Sequence, residues 1–149
     1  MTNYETPSLS CEQQQLLLTA LEQEARARAI RRSLTEWSRH CGFEPALHHR
    51  LLIRKLEQAA SGEIDRLAVF MPPGSAKSTY SSILFPPWFL AQRPKASIIA
   101  ASHTTELAEK WGRRVRNLET QLPRNWSALY QQRPAPVPQF HAIGIRHWQ

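Results

Sequence analysis

Apolar residues at helical spacing begin the chain. Leu16, Leu17, Ala20, Leu21 and Ala27 form a stripe that predicts a helix from Glu12 to Trp37, with Ser10 placed to cap it. The second half of that helix, Arg26-Ala-Arg-Ala-Ile-Arg-Arg, is strongly basic and reads as a solvated face. After a break at Gly42 to Pro45, Leu47, Leu51, Leu52 and Leu56 predict a second helix from about Ala46 to Ala60, stopped by Gly62.

The pattern then changes period. Asp65 to Met71 is a short apolar run between turn residues, which predicts a buried strand. Pro72, Pro73 and Gly74 make a turn, and a helix is expected from Ala76 or Lys77 until the Pro86-Pro87 pair kinks or ends it. Ala96 to Ser102 is the second strand candidate. Leu107, Ala108, Trp111, Val115, Leu118 and Leu122 then mark one face of a third long helix, Thr104 to Leu122, with Glu106 early and Arg113, Arg114 and Arg116 late. Beyond Pro123 no period is sustained and Pro134, Pro136 and Pro138 alternate, so residues 123–149 are expected to be irregular or disordered. The chain divides into a helical segment at 1–62, an α/β portion at 63–122 and this tail.

Composition narrows the class. With 42% hydrophobic residues over 149, the chain can build one core. The longest apolar stretch, Ile83 to Ala91, is too short to span a bilayer, and no basic-then-apolar leader opens the sequence, so a cytoplasmic location is expected. Cys11 and Cys41 have no second thiol nearby and read as reduced thiols; the histidines show no metal spacing. A net charge of +7 favours anionic partners such as nucleic acid. The acids are more telling: Asp65 is the only aspartate, and no carboxylate follows Glu119.

The candidate chemistry lies in Met71-Pro-Pro-Gly-Ser-Ala-Lys-Ser-Thr79, between a predicted strand and a predicted helix. Inward-pointing backbone amides at such a turn, with a helix N-terminus behind them, attract phosphate. Lys77 and Ser78 stand where a Walker A loop places its phosphate-binding lysine and Mg²⁺-binding hydroxyl. The match is imperfect, because Met71 and Ala76 occupy the two glycine positions and Gly74 lies inside the loop. An alanine at 76 is expected to take helix-like dihedrals.

The run Gly62 to Thr79 resembles the start of the ATPase domain of phage terminase large subunits. There an apolar strand runs into Pro-Pro, a polar pair, a small residue and Lys-Ser. Phe85-Pro-Pro-Trp-Phe-Leu-Ala91, Ile98-Ile-Ala-Ala-Ser102, Leu107-Ala108, Arg113-Arg-Val-Arg116 and, upstream, Pro45-Ala-Leu-His-His-Arg-Leu-Leu52 are similar to further pieces of that family in order. The resemblance covers roughly residues 26–122. It implies an incomplete α/β P-loop NTPase domain, N-terminal helices followed by β-loop-α-β-α, from a motor that uses ATP to drive double-stranded phage DNA into a procapsid. The family's partners are the portal protein and the small terminase subunit, in the cytoplasm of the bacterial host.

Carried over by position, Gly74, Ser75 and Ala76 offer amides to the phosphates, Lys77 holds the β- and γ-phosphates of ATP, and Ser78 helps hold Mg²⁺, with Thr79 next in the helix. His48 or His49 lies where related motors place an adenine-contacting glutamine; a helix-surface histidine is the plainer reading. The family's paired acids, which orient Mg²⁺ and the attacking water, follow the segment ending near Leu122, and this sequence has none there. The nuclease carboxylates are also missing. The expectation is therefore a truncated or frameshifted prophage product that keeps the phosphate loop, is inactive as an enzyme on its own, and is loosely folded or partner-dependent. The competing expectation is a non-enzymatic basic module that contacts DNA or a phage partner through Arg26, Arg28, Arg31, Arg32 and Arg113 to Arg116.

Overall fold

A computed structural model describes residues 10–93, 95–121 and 140–144. The first helix, α1 (Cys11–Arg32), starts with a reciprocal cap. The Ser10 hydroxyl accepts the Gln13 amide, and the Gln13 side chain accepts that of Ser10. Leu16, Leu17, Leu18 and Leu21 are exposed, so the predicted stripe meets the core only near its end, through Ala27 and also Ile30.

The single helix expected over Glu12 to Trp37 is two helices. Ser33 adopts extended dihedrals and its hydroxyl accepts the Thr35 and Glu36 amides, restarting the chain as α2 (Leu34–His40). Glu57, from the next helix, accepts the Leu34 amide at 2.7 Å. That diversion leaves the Ile30 carbonyl for the indole N–H of Trp88, at 3.1 Å. In the opposite direction, the Trp37 indole donates to the Leu84 carbonyl at 2.9 Å. Two buried tryptophans thus tie the N-terminal helices to the helix that follows the loop.

The next helix, α3 (Leu47–Ser61), ends where expected. Gly62 takes φ +85°, and the Gly62 and Glu63 amides close back onto the Ala59 and Gln58 carbonyls. Leu52, Ile53 and Leu56 are buried, whereas Leu47 and Leu51 are exposed.

Asp65 to Met71 is not a strand. The segment is extended, with Val69 and Met71 packed on the core and Phe70 93% exposed, but it has no ladder partner among the described residues. Burial alternates over Val69, Phe70 and Met71, but no neighbouring strand completes a sheet with them among the described residues.

The Pro86-Pro87 pair also behaves differently from the expectation. After Lys77 and Ser78 the chain makes a π-helical turn over Thr79–Leu84, in which Phe85 donates to the Tyr80 carbonyl, and continues into α4 (Phe85–Gln92). Proline breaks a helix by lacking an N–H and by crowding the carbonyl four residues back. The wider register relieves the crowding, and the prolines fall in the first turn of α4, where amides need no partner.

The second strand candidate is β1 (Ile98–Ser102), and Thr104 caps α5 (Thr105–Glu119) by accepting the Leu107 amide. Ala108, Gly112 and Val115 are buried in it. Leu122, the expected last residue of that face, lies outside the described residues. Most of the tail lies outside them too, but Phe140–Gly144 forms a strand, β2, rather than irregular chain. It pairs in parallel with β1, Ile98 opposite Phe140 through Ser102 opposite Gly144. Parallel neighbours need a crossover, and α5 lies between β1 and β2 in sequence and packs on both.

The core gathers Ile30, Leu34, Trp37, Leu52, Ile53, Leu56, Tyr80, Leu84, Trp88 and Ala91 from α1 to α4 and the π turn. Cys41 packs at its edge, and burial pushes its thiol up to about 12, so it stays protonated at neutral pH. Both cysteines are free thiols, Cys11 exposed and Cys41 half-buried. Among the described residues no helix is long and apolar enough to cross a membrane.

Candidate phosphate-binding loop

The loop from Met71 to Ser78 joins the extended segment to the helical run. Its first half is a β-turn: the Ser75 amide donates to the Pro72 carbonyl at 3.3 Å, with Pro73 and Gly74 between. Gly74 has φ +79°, the positive value that a type II turn requires after proline. A Cβ there would meet no atom within 4 Å, so backbone conformation rather than space calls for glycine.

Ala76 is the surprise. Its φ is +54°, left-handed, where the residue type implied helix-like dihedrals. The alanine therefore stands in the conformation that a glycine at this motif position supplies without strain, at a penalty of about 1–2 kcal/mol for an L-residue. Helical geometry begins after it: Thr79 and Tyr80 both donate to the Ala76 carbonyl, and Ser78 has φ −68°. As the first helical residues, Lys77 and Ser78 have amides with no carbonyl a turn behind to receive them.

Lys77 folds back over the loop. Its ammonium donates to the Met71 carbonyl at 3.1 Å, tying the end of the loop back to its first residue. Ser75 is held from the other side, because His49 Nε2 lies 3.1 Å from its carbonyl oxygen. The Ser75 hydroxyl is buried with no hydrogen-bond partner among the described residues, an arrangement that costs stability unless a polar ligand supplies one.

Of the residues assigned from sequence, Gly74 through Thr79 are thus brought into one continuous turn, but they do not play equal parts. The Ser75 amide is consumed by Pro72 and the Thr79 amide by Ala76. The donors left for an anion are the amides of Ala76, Lys77 and Ser78 with the Lys77 ammonium. That set suits an anion such as a polyphosphate: the amides are successive along the backbone, the ammonium carries full charge, and the orphaned Ser75 hydroxyl belongs to the same turn. Ser78, half-buried in the first turn, is the hydroxyl suited to Mg²⁺ on such a ligand.

His49 was read from sequence as a surface residue, yet it touches the loop. One signal was present: it stands three residues after Ala46, the position that reaches back to a helix's N-cap amide. His48 is exposed. No group of His, Cys, Asp and Glu able to hold a metal directly occurs among the described residues.

A concavity of about 530 Å³ lies between α1, α3 and α4, away from the loop. Arg32, Arg54 and Arg93 line it with Glu57 and Glu63. Glu57 is engaged with the Leu34 amide, Glu63 with Gln58 and Ser61, and Arg93 with the Ala60 carbonyl and the Phe89 ring.

No family model, curated protein or solved structure matches the chain.

Proposed function

We propose that the chain is the N-terminal part of the ATPase portion of a phage terminase large subunit, and that its own capacity is to bind Mg²⁺-ATP through the 74–79 loop. The supporting observation is the left-handed backbone at Gly74 and Ala76 followed at once by a helix that begins with Lys77 and Ser78. In this reading the chain is an incomplete α/β P-loop NTPase domain. The Lys77 ammonium would leave the Met71 carbonyl for the phosphates, and Ser78 would help hold Mg²⁺, which would supply neutralisation of phosphate charge. Hydrolysis is not assigned to these residues, because the sequence holds no acid after Glu119 to orient the metal and the attacking water. ATP-driven translocation of DNA, the portal and small-subunit partners, and residence in a bacterial host's cytoplasm belong to the same proposal.

The test is Mg²⁺-dependent binding of a fluorescent ATP analogue to the full chain and to Lys77→Ala. A charge-assisted contact of about 1.5–3 kcal/mol predicts a roughly 10- to 100-fold weaker dissociation constant for the variant. Equal affinity for both proteins would end the phosphate-loop assignment.

The groove favours a second reading, a basic surface that contacts DNA. Arg32 and Arg54 line it with no ion-pair partner among the described residues. If both touch phosphates, Arg32→Gln/Arg54→Gln should flatten the dependence of log affinity on log salt by about 2, measured on duplex DNA. An unchanged slope removes these two residues from any DNA contact.

A further inference from the structure

We propose that His49 is a latch that holds the Ser75–Ala76 peptide in its anion-receiving orientation against the backbone strain at Ala76; the inference deepens, and rests on, the phosphate-loop reading. The ring is fixed on three sides. Its Nδ1 accepts the Ala46 amide at 3.1 Å. An accepting Nδ1 leaves the proton of a neutral imidazole on Nε2, so Nε2 donates to the Ser75 carbonyl at 3.1 Å. The face of the ring stacks on Tyr80, centroids 4.4 Å apart and planes at 27°. Tyr80 is buried in the π turn, and its amide returns to the Ala76 carbonyl. One side chain therefore joins the start of α3, the middle of the loop and the first turn after it.

Peptide geometry gives this contact its consequence. In a planar trans peptide the C=O and N–H point in opposite directions. Holding the Ser75 oxygen toward α3 therefore aims the Ala76 N–H to the other side, away from α3. Rotating that peptide by half a turn would move φ of Ala76 to a negative value, out of the left-handed region. The same rotation would present a carbonyl oxygen where a phosphate needs a donor. Strain at Ala76 favours the rotation, and the His49 bond opposes it. A glycine at 76 has no such preference and needs no latch.

Two variants divide the functions of the ring. In His49→Gln the amide nitrogen reaches the place of Nε2, keeping the loop bond and losing the helix cap. In His49→Asn the side-chain oxygen reaches the place of Nδ1, keeping the cap and losing the loop bond. The measurements are affinity for the fluorescent ATP analogue with Mg²⁺, melting temperature, and the Ala76 HN–Hα coupling by NMR, which reports φ without nucleotide. His49→Asn should melt near the wild type, bind about tenfold more weakly and show a negative φ at Ala76. His49→Gln should melt lower yet bind like the wild type. Adding Ala76→Gly to His49→Asn should restore affinity. That inverse order of stability and affinity does not arise from general loosening. A positive φ at Ala76 in His49→Asn with unchanged affinity overturns the latch. A shifted φ in a protein that never binds nucleotide supports the latch and removes the nucleotide reading instead.

Discussion

Trp37→Ala should destabilise the protein by about 3–5 kcal/mol, a large share of the stability of a domain this size. Trp37 is fully buried and its side chain is among the largest enclosed in the core. Its removal leaves a cavity beneath α2 and breaks the bond from the indole to the Leu84 carbonyl. The two losses separate experimentally. Trp37→Phe keeps most of the apolar volume but has no N–H, so it should cost about half as much or less. Chemical denaturation of the three proteins gives the comparison, and an alanine variant as stable as the wild type would show that α2 is not part of the cooperative unit. The functional consequence follows from where the bond lands. Leu84 ends the π turn that starts at Thr79, so α2 steadies the helix on which the 71–78 loop rests.

How much of this was legible in the sequence depended on whether the deciding interaction was local. The Ser10 cap, the stop at Gly62 and the body of α3 and α5 involve residues within four of one another, and pattern reading places them. The break at Ser33 was also local. Ser33-Leu-Thr-Glu36 carries a helix-start signal, but the run of helix-favouring residues on both sides hides it. The failures are of another kind. Asp65 to Met71 has the apolar run of a buried strand, yet a strand exists only with a neighbour, and none is present among the described residues. The same holds for the tail: nothing in Phe140–Gly144 announces a strand, which is defined by its parallel pairing with β1.

The loop divides along the same line. Its position between an extended segment and a helix, and the roles open to Lys77 and Ser78, were visible as a spacing of residues. The conformation of Ala76 was not, because residue identity argues against a left-handed alanine and only the surrounding bonds impose it. His49 was missed for a related reason. A helix-surface histidine becomes a loop contact only when Ser75, 26 positions later, is folded against it. Tyr80 was equally silent in sequence; burial, and secondarily the charge of Glu44, raises its phenol, as expected for a ring enclosed between α3 and the loop.

Position 76 therefore offers the second large effect, a series of opposite signs at one site. Ala76→Gly removes a left-handed penalty of about 1–2 kcal/mol and returns part of it as greater freedom of the unfolded chain, so a net stabilisation of roughly 0.5–1 kcal/mol is expected. Ala76→Val should do the reverse, because a β-branched residue at positive φ is a true outlier; a loss of about 2 kcal/mol or more is expected. The two variants should thus differ by about 3 kcal/mol at a half-buried position where side-chain size alone predicts little. The affinity for nucleotide should move in the same direction, since valine favours the rotated peptide that turns a carbonyl toward the phosphates. If denaturation places glycine below alanine, the loop does not hold residue 76 at φ +54° in solution, and the donor set formed by Ala76, Lys77 and Ser78 loses its geometric basis.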